Sequence, residues 1–83
     1  MNIEIYSKDN CTFCSAAIQV AKQVIQESDH ELSIYKLDKD FNADQLLHMF
    51  PTAKSYPQIK IDSIAIGGYE ELVDQLRERK WKL

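Results

Sequence analysis

The chain opens on an alternating pattern. In Asn2-Ile3-Glu4-Ile5-Tyr6 the two isoleucines fall on one face, which predicts a strand. Ser7-Lys8-Asp9-Asn10 is a run of turn formers. The period then changes. Cys14, Ala17, Ile18, Ala21, Val24 and Ile25 recur at three- and four-residue steps, the apolar stripe of a helix expected to end near Ser28-Asp29-His30. Leu32 to Leu37 alternates again and predicts a second strand, broken by Asp38-Lys39-Asp40. Asn42 and Gln45 have the spacing of a capping box, with Phe41 and Leu46 placed as its hydrophobic staple. The helix they start should stop near Met49-Phe50, because Pro51 disfavours helical geometry in the residue before it.

Pro57 to Ile61 and Ser63 to Ile66 flank Asp62 and predict a tight hairpin, closed by Gly67-Gly68. Tyr69, Leu72, Val73, Leu76 and Leu83 mark one face of a last helix. Glu70 and Glu71 lie in its first turn, and Arg79, Lys80 and Lys82 near its end, a charge order that suits the helix dipole. The predicted order is β-α-β-α-β-β-α. Two strands joined by a helix should be parallel with a right-handed crossover, and the last two should form an antiparallel hairpin. The economical solution is an α/β fold, a four-stranded mixed sheet flanked by three helices, in one domain spanning residues 1–83.

Composition narrows the function. With 45% hydrophobic residues and two each of glycine and proline, the chain has the means to fold despite its 83 residues. A net charge of −3 argues against a nucleic-acid partner, and the basic stretch from Arg77 to Lys82 is read as a helix end. No apolar run has the length of a membrane span. Met1 to Tyr6 reads directly as strand rather than as a targeting segment, so a cytoplasmic location among reduced thiols is expected. There a structural disulfide is not expected, and a bridge between cysteines three residues apart closes too short a loop to staple a fold.

The spacing of Cys11 and Cys14 therefore asks for a chemical explanation. The pair straddles the start of the first helix. Unpaired N–H groups and the positive dipole end at that position favour a thiolate on Cys11, while Cys14 lies on the apolar stripe. The first thiol can meet a disulfide, and the second can resolve the mixed disulfide from inside. Lys8, three residues before Cys11, can favour the thiolate or hold a substrate carboxylate. A zinc site would need four ligands, and His30 and His48 lack the spacing of a zinc-finger pair, so no metal is assigned.

Three segments together resemble the glutaredoxins of the thioredoxin superfamily. Tyr6 to Cys14 is similar to their lysine-x-x-cysteine-proline-tyrosine-cysteine segment. Ser55-Tyr56-Pro57-Gln58-Ile59 is similar to their threonine-valine-proline segment, whose proline is cis. Ile66-Gly67-Gly68-Tyr69-Glu70-Glu71-Leu72 is similar to their glycine-glycine motif. The resemblance implies a thioredoxin-like fold and a dithiol oxidoreductase that reduces protein disulfides and glutathione mixed disulfides, with roles in electron transport and redox homeostasis. It implies glutathione as cofactor and places Lys8 and Lys54 at the glycine carboxylate, with the Tyr56 backbone before a cis Pro57 pairing with the glutathione cysteine. Phe13 supplies the ring between the cysteines. Gly68, Tyr69 and Glu70 lie under the glutamyl end, backbone N–H groups holding its α-carboxylate and Glu70 its α-ammonium. A monomer is expected, and the protein partners implied include ribonucleotide reductase.

The chain departs from this pattern at Thr12 in place of proline, Phe13 of tyrosine, Tyr56 of valine and Glu70 of aspartate. Two other readings stay open. One is a thioredoxin-like reductant recharged by a flavoprotein reductase, although Asn10 stands where thioredoxins carry a tryptophan and Trp81 lies at the far end. The other is a carrier whose iron–sulfur cluster is held by Cys11 and glutathione.

Overall fold

The first strand, β1 (Asn2–Ser7), is central because its apolar residues serve two layers. Ile3 and Ile5 are fully buried on one face, and Tyr6 is buried on the other. The computed structural model describes residues 1–27 and 29–79. The further elements are α1 (Thr12–Ile25), β2 (Glu31–Lys36), α2 (Ala43–Met49), β3 (Gln58–Ile61), β4 (Ile64–Gly67) and α3 (Tyr69–Glu78). They form a four-stranded sheet in the order β2-β1-β3-β4. β1 and β2 are parallel and α1 joins them, while β1–β3 and β3–β4 are antiparallel. The predicted order of elements and the mixed sheet are both present. Among the described residues, no helix is long and apolar enough to cross a membrane.

One face of the sheet is aliphatic. Ile3, Ile5, Ile59 and Ile61 meet Ala17, Ala21 and Val24 of α1 and Leu72 and Leu76 of α3. The alanines let α1 approach the sheet closely, and this face carries most of the buried apolar area. The other face is aromatic. Tyr6, Phe41, Leu46 and Phe50 pack together there, with Tyr35 and Tyr56 half-buried at the margin. The Asn42–Gln45 capping box is formed in full, each side chain accepting from the other's backbone N–H at 2.8 Å. Both staple residues, Phe41 and Leu46, are buried in this aromatic cluster.

The hairpin turns on Asp62 and Ser63, both at positive φ (50° and 68°), the conformation a two-residue turn needs. Asp62 also ties the turn to β1. Its carboxylate accepts from the Asn2 N–H, and its own N–H donates to the Asn2 carbonyl, both at 2.8 Å.

α1 ends at Ile25, the last residue of its stripe, and not near Ser28-Asp29-His30 as expected. Glu27 N–H bonds back to the Val24 carbonyl and tightens the last turn. The reason is tertiary. Beyond Ile25 the helix has no further apolar residue to bury, and Glu31 must pair with Asn2 to begin β2. His30 therefore lies beside the chain start, its Nδ1 3.1 Å from the Met1 ammonium. The positions assigned from sequence to Ser28, Lys80, Trp81, Lys82 and Leu83 fall outside the described residues.

Candidate active site

The turn after β1 delivers Cys11 to the N-terminus of α1. Asn10 takes a positive φ of 53°, one of the few non-glycine residues that accept it readily. The turn is held from the side by β2. Asp9 pairs with the Lys36 ammonium at 2.7 Å, and the Ser7 hydroxyl donates to the Tyr35 carbonyl. Lys36 is protonated more strongly than usual because it donates a hydrogen bond to the Asp9 carboxylate and senses its charge.

Cys11 is the N-cap itself. Its backbone is extended (φ −124°, ψ 103°), and its Sγ accepts from the Cys14 N–H at 3.2 Å. Its carbonyl accepts the first helical bond from Ser15 at 3.1 Å. Sulfur thus occupies the position that a serine or aspartate oxygen takes at ordinary caps. The first turn of α1 contains no acidic residue, so the positive end of its dipole is unopposed. Cys11 and Cys14 are joined as a disulfide with their Cα atoms 5.2 Å apart. Cys14 is 2% exposed, whereas Cys11 is half-buried and faces solvent on one side. The pair is asymmetric: one sulfur can be reached from outside and the other backs onto the core.

Two depressions flank the pair. A cleft of about 210 Å³ is lined by Phe13, Ser55, Tyr56, Pro57, Gly68, Tyr69, Glu70 and Glu71. It gathers six of the eight residues assigned to glutathione from sequence. The Phe13 and Tyr69 rings lie 5.8 Å apart across it, and Phe13 is 59% exposed. The Tyr56–Pro57 bond is cis, as expected, and Pro57 is buried. Lys8 lines the wider groove on the other side, with both cysteines, but its Nζ reaches to 5.4 Å from the Tyr56 ring centroid. Lys54 is not gathered with the others. It lines a separate groove with Leu46 and Leu47, which meets the cleft at Ser55 and Tyr56.

Glu71 has a larger part here than its place in the sequence motif suggested. Its Oε1 accepts from the Gly68 N–H at 2.9 Å, so this N–H is already engaged at the start of α3. The side chain folds back over the glycine pair. Gly67 has a φ of +114°, which favours glycine, and a Cβ there would meet Glu71 Oε1 at 2.6 Å and push that side chain aside. A Cβ on Gly68 would lie 3.3 Å from the Pro57 carbonyl, which is how closely α3 approaches the cis-proline turn. The spacing Gly68-x-x-Glu71 is that of an N-cap with its N3 carboxylate, a signal present in the sequence. Among the described residues, no three His, Cys, Asp or Glu side chains converge as a metal would need.

No protein-family model matches the sequence, and no curated protein matches it. Solved structures do. Reduced Escherichia coli glutaredoxin superposes with a TM-score of 0.85 at 22% identity, over 96% of this chain and 98% of its own. Glutaredoxin 1 from Francisella tularensis, complexed with cacodylate, gives 0.66 at 23% identity over 98% of each chain. Buckwheat glutaredoxin in a complex with glutathione gives 0.73 at 22% identity, over 94% of this chain and 70% of its own. In fold, this chain is similar to the glutaredoxins over nearly its whole length, with a cysteine pair at the junction of β1 and α1.

Proposed function

We propose that the chain is a glutathione-dependent thiol–disulfide oxidoreductase acting on protein disulfides and glutathione mixed disulfides. One observation carries the reading: the Cys11–Cys14 disulfide sits with the outer sulfur on the N-cap of α1 and the inner one buried. When the pair is reduced, the Cys14 N–H and the unopposed dipole favour a thiolate on Cys11 over one on Cys14.

The cycle follows from that asymmetry. The Cys11 thiolate attacks one sulfur of a substrate disulfide. A Cys11–substrate bond forms, the substrate S–S bond breaks, and the other half leaves as a thiolate. Cys14 loses its proton to solvent and attacks the Cys11 Sγ. The second substrate thiolate leaves and the internal disulfide closes, so the substrate has gained two electrons and the enzyme has lost them. Two glutathione thiols return the electrons. The first displaces Cys14 from the Cys11 Sγ, and the second attacks the bound glutathione sulfur, releasing glutathione disulfide. Glutathione is a substrate here rather than a resident cofactor.

The cleft supports glutathione as the thiol. Its lining includes the cis-proline turn, where the Tyr56 backbone can pair with an extended peptide, and the Phe13 and Tyr69 rings. Glu70 can receive the α-ammonium. The N–H groups beyond Gly68 can receive the α-carboxylate, since that of Gly68 is engaged by Glu71. Lys8, whose Nζ lies 5.4 Å from the Tyr56 ring centroid, can receive the carboxylate at the other end. The bound tripeptide in buckwheat glutaredoxin supports the same reading. The test is to supply electrons either as glutathione with glutathione reductase or through a thioredoxin reductase. Turnover with the first is expected. Turnover with the second alone would make the chain a thioredoxin-like reductant.

A further inference from the structure

Tyr56 lines the cleft beside the cis bond, and its ring has a second role. We propose that the Tyr56 ring is a positioning residue that holds the Lys8 ammonium at the site, so that Lys8 meets the carboxylate of an anionic thiol without first being ordered. The proposal rests on the glutathione reading above for the identity of that thiol. It does not rest on it for the placement of Lys8.

The geometry has three parts. Lys8 Nζ lies over the Tyr56 ring at 5.4 Å from its centroid, within the range in which a ring face attracts a cation. The carboxylate next in sequence does not compete, because Asp9 is paired with Lys36 at 2.7 Å. The ring is itself anchored. It stacks on Phe41 with centroids 6.4 Å apart and planes 23° apart, and Phe41 packs edge-on to the buried Tyr6 at 5.4 Å. An aromatic series thus runs from the interior of the sheet to an otherwise solvated lysine. Burial, and secondarily Asp38, raise the Tyr56 phenol pKa above its ordinary value, so the ring is neutral at working pH. The attraction therefore belongs to the ring face rather than to a phenolate, and phenylalanine should serve as well as tyrosine.

The test has two readouts. In the reduced protein, NMR should show the Lys8 ε-methylene protons shifted upfield by the ring current. The shift should persist in Tyr56→Phe and vanish in Tyr56→Leu. In the glutathione-coupled assay, Tyr56→Leu should raise KM for glutathione about two- to fivefold, the range of an exposed cation–ring contact, with kcat little changed. Tyr56→Phe should restore KM, and adding Tyr56→Leu to Lys8→Ala should raise KM no further than Lys8→Ala alone. An absent ring-current shift in the wild type, or fully additive effects of Lys8→Ala and Tyr56→Leu, would overturn the proposal. If the wild type does not use glutathione, the functional reading fails, and the NMR readout alone then decides where Lys8 sits.

Discussion

The two faces of the sheet are built from different side chains and do different work. The face under α1 and α3 is closed and aliphatic, its members no more than 2% exposed. The face under α2 is smaller and aromatic, and it is edged by charge. Glu4 and Lys60 stand opposite each other there, and the Lys60 ammonium lies 5.7 Å from the Phe50 ring centroid. The aliphatic face fixes the sheet and the axis of α1, and so the burial of Cys14. The aromatic face extends through Phe41 to Tyr56 and thus to the cleft. Stability is concentrated on the first face, and the shape of the cleft beside the cysteine pair depends on the second.

That difference can be broken experimentally. Leu72 is fully buried between α3 and the sheet. Leu72→Ala should cost about 2–5 kcal/mol in denaturant unfolding, while the folded fraction keeps its KM for glutathione. On the other face, Asn42→Ala removes one half of the α2 capping box and should cost only about 1 kcal/mol. It loosens Phe41 directly beside it, so it should raise KM more per unit of stability lost. An equal KM change from both variants would mean that the faces are not separate in function.

The smallest effect concerns pH. Burial, then Glu4 and Tyr35, raise the Tyr6 phenol above its ordinary 10.0. Below pH 10 the folded and unfolded chains both hold this proton, and the contribution to stability is intact. Above it the unfolded chain releases the proton first, so stability falls until the folded phenol also ionises. Tyr6→Phe should make the alkaline loss of stability shallower and leave the neutral range unchanged. An unaltered slope would show that the aromatic face is open enough to hydrate its phenol.

Much of this was legible in the chain. The isoleucine alternation of β1, the Asn42–Gln45 box and the Asp62 turn are local signals whose period or spacing identifies them. The Cys11–Cys14 pair at a change of period marked the candidate site in the same way. What was hidden depends on distant partners. The stripe of α1 runs on into polar residues, and its end is set by where β2 must meet Asn2. Lys54 stands two residues before Tyr56, yet the turn directs it into a neighbouring groove. The ring stack from Tyr6 through Phe41 to Tyr56 joins residues with no common period, so only the assembled sheet brings them together.

The central claim is the division of labour between the two cysteines, and paired serine variants test it most directly. Reduction of a protein disulfide should need both thiols, because Cys14 resolves the mixed disulfide that Cys11 forms. Release of glutathione from a glutathionylated protein should need Cys11 alone, since a second glutathione can free it. Cys14→Ser should therefore keep deglutathionylation and lose most dithiol-dependent reduction, while Cys11→Ser loses both. A folded Cys14→Ser protein without deglutathionylation, or a Cys11→Ser protein that retains it, would contradict the account.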